Sequence, residues 1–159
     1  MEEPAPKYFR LAPGREVRLM NAYLITATRV EKDEKGQVIA VHCTYDPETR
    51  GGSAPDGRKV KGTIHWVSAA HAAEAEIRLY GHLFEDEFPE DLPEGEVFTD
   101  HVNPNSLEVL SGCKLEPSLA HAGVGESFQF VRNGYFTLDK PSFEDGKRVF
   151  NRTISLVDT

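Results

Sequence analysis

Ser127-Phe128-Gln129-Phe130-Val131-Arg132-Asn133-Gly134-Tyr135-Phe136-Thr137-Leu138 is the stretch on which the fold turns. Two short runs of β-forming residues flank Asn133-Gly134, and a type I′ turn needs positive φ at both central positions, which Asn and Gly accept most readily. The spacing predicts a hairpin with strands over 127–132 and 135–138. Moving outward, residues 149–157 form a last strand and residues 106–114 an earlier one, each bounded by turn-forming residues.

The N-terminal half repeats this pattern. Residues 16–30 are rich in β-formers and stop at Glu31-Lys32-Asp33-Glu34-Lys35-Gly36, a hairpin tip. Residues 37–45 alternate Val38, Ala40 and His42 with Ile39, Val41 and Cys43, and the proline- and glycine-containing residues 46–57 form a loop. A strand over 58–67 follows. Residues 68–80 begin as a helical turn with Ser68 at its cap, then become a strand in which Ala75, Ile77 and Leu79 alternate with Glu76, Arg78 and Tyr80. Many short strands with few convincing helices predict an all-β barrel or sandwich. The acidic, proline-punctuated residues 85–97 serve as an exposed connector between two barrel-like units, over 8–84 and 98–159.

A chain of 159 residues, 39% of them hydrophobic, can bury a real core. Neither a long apolar run nor a basic-then-apolar N-terminus is present, which predicts a cytoplasmic protein. The only cysteines, Cys43 and Cys113, lie far apart and read as buried small apolar residues rather than a disulfide. The formal net charge of −8 counts against a simple polyanion binder, but Lys7, Arg10, Arg15 and Arg18 crowd the start while the acidic residues crowd 85–96.

Catalytic constellations are hard to find. The six histidines and two cysteines lack zinc-ligand spacing, and Gly51-Gly52 and Gly123-Val124-Gly125 lack the lysine and helix of a phosphate loop, so neither a metal site nor a catalytic residue is expected. What stands out is planar donors beside aromatic rings: Tyr8-Phe9-Arg10, Gln129-Phe130-Val131-Arg132 and Asn133-Gly134-Tyr135-Phe136. Guanidinium and amide groups hydrogen-bond base edges and rings stack on unpaired bases, a pattern suited to single-stranded RNA.

Longer runs carry a resemblance. Val17-Arg18-Leu19 with Asn21-Ala22-Tyr23, the tract from Asp56 to His71 and Glu76-Ile77-Arg78-Leu79-Tyr80 closely resemble the C-terminal half of bacterial glutaminyl-tRNA synthetases. Asn103-Pro104, Glu116-Pro117-Ser118-Leu119, Phe128-Gln129-Phe130, Gly134-Tyr135-Phe136 and Val149-Phe150-Asn151-Arg152-Thr153 follow in that family's order. The resemblance implies two β-barrels, a distal one over 8–84 and the C-terminal part of a proximal one over 98–159, related to the barrel that binds ribosomal 5S RNA. Together they would receive the anticodon loop of glutamine tRNA. It places Arg10 at the third anticodon base, Arg18 near the first, and Gln129 with Arg132 at the middle uracil. Gln129 suits that role because a neutral amide donates and accepts at once. Lys59 and Lys61 are candidate phosphate contacts, with solvated lysine as the ordinary alternative.

Two positions depart from the family pattern. Met20 stands where well-known members carry a second arginine, and Phe9 stands where they carry a lysine. Either recognition of the first base is altered, or Met20 packs in the barrel and the pocket relies on Arg18 alone. The family's nucleotide-fold signatures do not occur, so the chain is expected to be no enzyme and to need no cofactor. ATP would serve the catalytic domain of a parent glutamine-tRNA ligase. The family's proximal barrel also takes strands from upstream sequence, which predicts an exposed sheet edge able to pair with another copy. Competing readings are the anticodon module of an archaeal or eukaryotic glutamyl-tRNA synthetase, a ribosomal-RNA-binding barrel, and a small-molecule-binding barrel favoured by the acidic charge.

Overall fold

The computed structural model describes residues 5, 7–140 and 147–156. Two compact units divide the chain, Met1–Trp66 and Val67–Thr159. Every regular element of more than five residues is a strand, and the two sheets are mixed, with four and five strands. The all-β expectation therefore holds, and the sheets are barrel-like without closing into rings among the described residues.

The first sheet contains β1 (Glu16–Leu19), β2 (Leu24–Lys32), β3 (Val38–Asp46) and β4 (Thr63–Ile64) in the order β3-β2-β1-β4. Residues 16–30, expected as one strand, are two. Asn21 adopts φ 58°, and Ala22 N–H bonds the Leu19 carbonyl at 3.0 Å, folding β1 back on β2. The tip at 33–36 forms as anticipated: the Asp33 carboxylate accepts from the amides of Lys35 and Gln37, and Gly36 takes φ 76°. The strand expected over 58–67 shrinks to two residues that pair in parallel with β1. Its first part is irregular, and there the Arg58 side chain bonds Glu16, Asp46 and Asp56. The core is small and aliphatic: Ala12, Val17, Ala22, Leu24 and Ala27.

The second sheet contains β5 (Ala73–Tyr80), β6 (Leu107–Leu115), β7 (Ser127–Phe130), β8 (Gly134–Leu138) and β9 (Val149–Ile154) in the order β6-β5-β9-β8-β7. Residues 68–72 make the expected helical turn, with Ala72 N–H on the Ser68 carbonyl at 2.8 Å. The division between units falls at Trp66, before the acidic stretch at 85–97. β5 pairs with β6 on one side and in parallel with β9 on the other, which places it in the second sheet instead of the first. The expected strand end at Val157 lies outside the described residues.

Phe136, Leu138 and Phe150 are the large residues at the centre of this core, and Phe130 stacks on Phe136 at 4.4 Å between centroids. Burying such rings supplies most of a sheet's hydrophobic driving force. The cysteines depart from expectation: Cys43 is exposed on the edge strand β3, both faces of which meet solvent, and Cys113 is only half-buried. Among the described residues no helix is long and apolar enough to cross a membrane.

Candidate nucleic-acid interface

In the hairpin of the second unit, Phe128 and Phe130 turn inward against Phe150, at 6.2 and 5.6 Å between centroids. Strand alternation sends Ser127 and Gln129 outward. Gln129 sits opposite Tyr135, which is also exposed, and the Gln129 amide has no partner among the described residues. Ser127 and Thr137 bond each other through their hydroxyls at 2.8 Å on the same face. A solvent-facing amide beside an open tyrosine ring can pair with one base edge and stack on one base face.

The turn differs from the type I′ geometry expected at Asn133-Gly134. Asn133 N–H bonds the Phe130 carbonyl at 2.8 Å, so the turn is centred on Val131-Arg132, and Arg132 carries the positive φ of 66° that a type II turn needs at its third residue. Gly134 already belongs to β8, pairs with Phe130, and leaves no room for a side chain, since a Cβ there would lie 2.5 Å from the Ile154 carbonyl. The register is thus set by the crowded glycine. Arg132 is placed at the exposed tip as a result.

The first unit collects cations in a different way. Arg10 and Lys61 share a shallow depression with Tyr8, Phe9 and Arg15. Gly62 makes this possible, because a Cβ there would stand 2.5 Å from the Phe9 carbonyl. Lys61 Nζ lies 5.8 Å from the Phe9 ring centroid, within cation–π range, and Arg15 Nη1 donates to the Tyr8 carbonyl at 2.8 Å. Arg10 is exposed with no partner among the described residues, and Lys59 is exposed as well. Arg18 lies on β1 beside β4, with its Nε donating to the Gly52 carbonyl. Met20 is half-buried, and its carbonyl accepts from the Trp66 indole at 3.0 Å.

The structure therefore groups Arg10 with Lys61, leaves Arg18 on a neighbouring strand with its own loop partner, and groups Gln129 with Arg132 on one hairpin. Sequence reading missed Gly52, whose loop showed only a turn-rich composition. It had marked Tyr135 as one of a run of aromatics without pairing it to Gln129, although the period of two on both sides of the turn carries that signal.

Acidic groups are neutralised locally in both units. The Arg58 guanidinium bonds Asp46 at 2.6 Å, Asp56 at 2.7 Å and Glu16 at 2.9 Å. The Arg58 side chain holds the Asp46 carboxyl below the usual range, and the Arg58 backbone and side chain do the same for Asp56. In the second unit His101 bonds Glu96 through Nε2 at 2.7 Å and Asp86 through Nδ1 at 2.8 Å. Those two carboxylates, Glu96 first, raise the imidazole above its ordinary value. Among the described residues no group of three or more His, Cys, Asp or Glu side chains is placed to hold a metal ion.

Comparison with known proteins bears on the family of the chain. Residues 63–139 and residues 2–46 match two families that share one description, tRNA synthetases class I (E and Q), anti-codon binding domain. The chain is 55% identical over all 159 residues to a glutamine–tRNA ligase of Nitrobacter winogradskyi, of which it covers 28%. It is 49% identical over 159 residues to that of Pseudomonas syringae pv. tomato and 51% identical over 156 residues to that of Clostridium kluyveri, again spanning 28% of each. Two open mixed sheets with planar donors and rings on their exposed faces, together with full-length identity of this order, lead to one conclusion: the chain belongs to the anticodon-binding domains of the class I tRNA synthetases for glutamate and glutamine.

Proposed function

We propose that this chain reads the anticodon loop of glutamine tRNA as part of a glutamine-tRNA ligase. In that role it supports the ATP-dependent attachment of glutamine to its tRNA by a catalytic domain in the same polypeptide, in the cytoplasm. The first sheet plays the part of the distal barrel and the second that of the C-terminal part of the proximal barrel. Arg10, Arg18, Gln129 and Arg132 contact the anticodon bases, with Lys59 and Lys61 on backbone phosphates.

The observation that carries this reading is the exposed amide of Gln129, without a partner among the described residues, beside the open ring of Tyr135. Folding alone gives no reason to leave a planar donor and an aromatic face side by side in solvent, whereas an unpaired base uses both. Exposed donors alone do not overcome a net charge of −8, so the contacts must be base-specific more than electrostatic. The edge strand β6, exposed along most of its length with Leu107 and Val109 facing solvent, is where a second copy or another part of a longer polypeptide would add a strand. Sedimentation as a strict monomer at high concentration counts against self-association there.

The reading is tested by fluorescence anisotropy with glutamine-tRNA anticodon stem-loops, their middle uracil intact or changed, using wild type and Gln129→Ala at several salt concentrations. The expected result is a loss of about 1–3 kcal/mol confined to the native loop. Equal binding of all loops by both proteins would sink base-specific reading, and preference for a glutamate anticodon loop would transfer it to the other amino acid of the family.

A further inference from the structure

Residues 46–58, the first part of the connection between β3 and β4, have no role in the function proposed above, yet they are held by several buried and ionic bonds. Thr49 is fully buried; its Oγ1 accepts from the Leu24 amide at 2.9 Å and donates to the Asp46 carbonyl at 2.7 Å. Gly52, also buried, donates its amide to the Thr49 carbonyl at 2.8 Å. At the loop's two ends Asp46 and Asp56 are gathered by Arg58, which is itself tied to Glu16 on β1. These bonds hold the Gly52 carbonyl in one place.

Arg18 is fitted to that carbonyl. Its Nε donates there, and its stem passes so close over Gly52 that an added Cβ would lie 2.7 Å from Arg18 Cδ. Gly52 also has φ +88°, which disfavours any side chain. None of the described residues takes the two terminal nitrogens of Arg18. An unrestrained arginine loses rotamer freedom when it is fixed, and a guanidinium already held at Nε has given up much of that before its ligand arrives. Its remaining donors form a fork in a set plane, the geometry that engages two adjacent acceptor atoms.

We propose that Gly52 is a positioning residue for Arg18, its carbonyl orienting the guanidinium so that the terminal nitrogens meet a pair of acceptors on the bound RNA. The inference rests on the anticodon-reading function proposed above. The acceptors belong to a base edge or to a phosphate, and the two are told apart by changing the first anticodon base and by varying salt.

The test uses the full chain in two measurements. In the free protein, the Arg18 Nε–H resonance should exchange slowly with solvent, and Gly52→Ala should abolish that protection. In anisotropy with the native stem-loop, Gly52→Ala should weaken binding about tenfold, the lower part of the range for a bidentate contact. It should cause no further loss in an Arg18→Ala background. Arg18→Lys should match Arg18→Ala in its discrimination at the first base if a base edge is read, and should differ from it only in salt dependence if a phosphate is.

Fast exchange of Arg18 Nε–H in wild type overturns the proposal, as does wild-type affinity in Gly52→Ala, or an equal loss with and without Arg18, which would mark a purely structural glycine. Should Gly52→Ala fail to fold by thermal unfolding, Arg58→Gln loosens the same loop without altering its backbone and should give the same pattern, more weakly. Arg18→Ala binding as tightly as wild type would instead overturn the anticodon role of Arg18, while slow Nε–H exchange would still show that the guanidinium is held.

Discussion

The two sheets present their polar groups by different means. In the second, Gln129 faces outward because its neighbours Phe128 and Phe130 face inward onto Phe150 and Phe136, so the placement follows from strand alternation against an aromatic core. In the first, Arg18 is set by a carbonyl 34 residues away in a loop, over a core with no buried aromatic ring. The lesson is that an exposed polar side chain can be oriented by local periodicity or by a distant backbone group, and only the first kind is cheap to find in a sequence.

The sharpest way to break this contrast is to remove the anchors of the two cores. Phe150, fully buried and touching two other rings, should cost about 3–5 kcal/mol when replaced by alanine, measured by urea unfolding. Leu24→Ala, at the equivalent depth of the first core, should fall lower within the range of about 2–5 kcal/mol, because small neighbours collapse more readily onto the void. A greater loss at Leu24 than at Phe150 would reverse the ranking of the cores.

Thr49→Val probes the loop that serves Arg18. The substitution conserves shape and strands the buried Leu24 amide without an acceptor, so a loss of about 1–3 kcal/mol is expected by the same unfolding measurement. No loss would mean that the loop does not depend on this hydroxyl, and the contrast between a loop-held arginine and a strand-held glutamine would weaken.

Arg132→Gly sharpens the other side of the comparison, since its two effects should have opposite signs. Arginine at φ 66° carries a left-handed cost that glycine relieves, partly offset by glycine's greater freedom when unfolded. Stability should stay level or rise by up to about 1 kcal/mol while affinity for the native stem-loop falls. A fall in stability would show that the side chain supports the turn and is not held there for its ligand.

The smallest expected effect is electrostatic, and it too separates the units. Asp46 and Asp56 are paired with an arginine, so their contribution is present above the unfolded carboxylate pKa of about 3.9 and is lost as pH falls through their lowered folded values. His101 has the opposite sign. Its folded pKa is raised, so its contribution is complete below the unfolded value of about 6.5 and fades as pH rises through the folded one. Titration of the His101 ring by NMR should give a midpoint above that of an exposed histidine, and Glu96→Gln should lower it more than Asp86→Asn. An unshifted midpoint would remove the pairing from the acidic stretch.

Much of this protein was legible before its structure. Alternation in 37–45 and 75–80 marked strands that are present at nearly those positions, and Asp33 with Gly36 marked a tip that forms. The errors share a cause. Residues 16–30 looked like one strand because no glycine or proline interrupts them, and only the packing of Val17 and Leu24 into one core requires the fold-back at Asn21. The hairpin at 127–138 was found, but its turn was placed two residues late, because the crowding of Gly134 against Ile154 and Arg152 comes from another strand.

What the amino-acid sequence determined by itself is therefore whatever repeats over a few residues: the all-β class, the outward face of Gln129, the aromatic strip beside it, and the long runs that tie the chain to its family. The tertiary structure alone decided the parallel pairings of β1 with β4 and β5 with β9, the gathering of three carboxylates by Arg58, and the seat of Arg18 on Gly52. A two-residue period is a property of the backbone and is written into neighbouring side chains. A contact closed across 34 residues leaves no local trace, because its energy exists only once distant segments have packed.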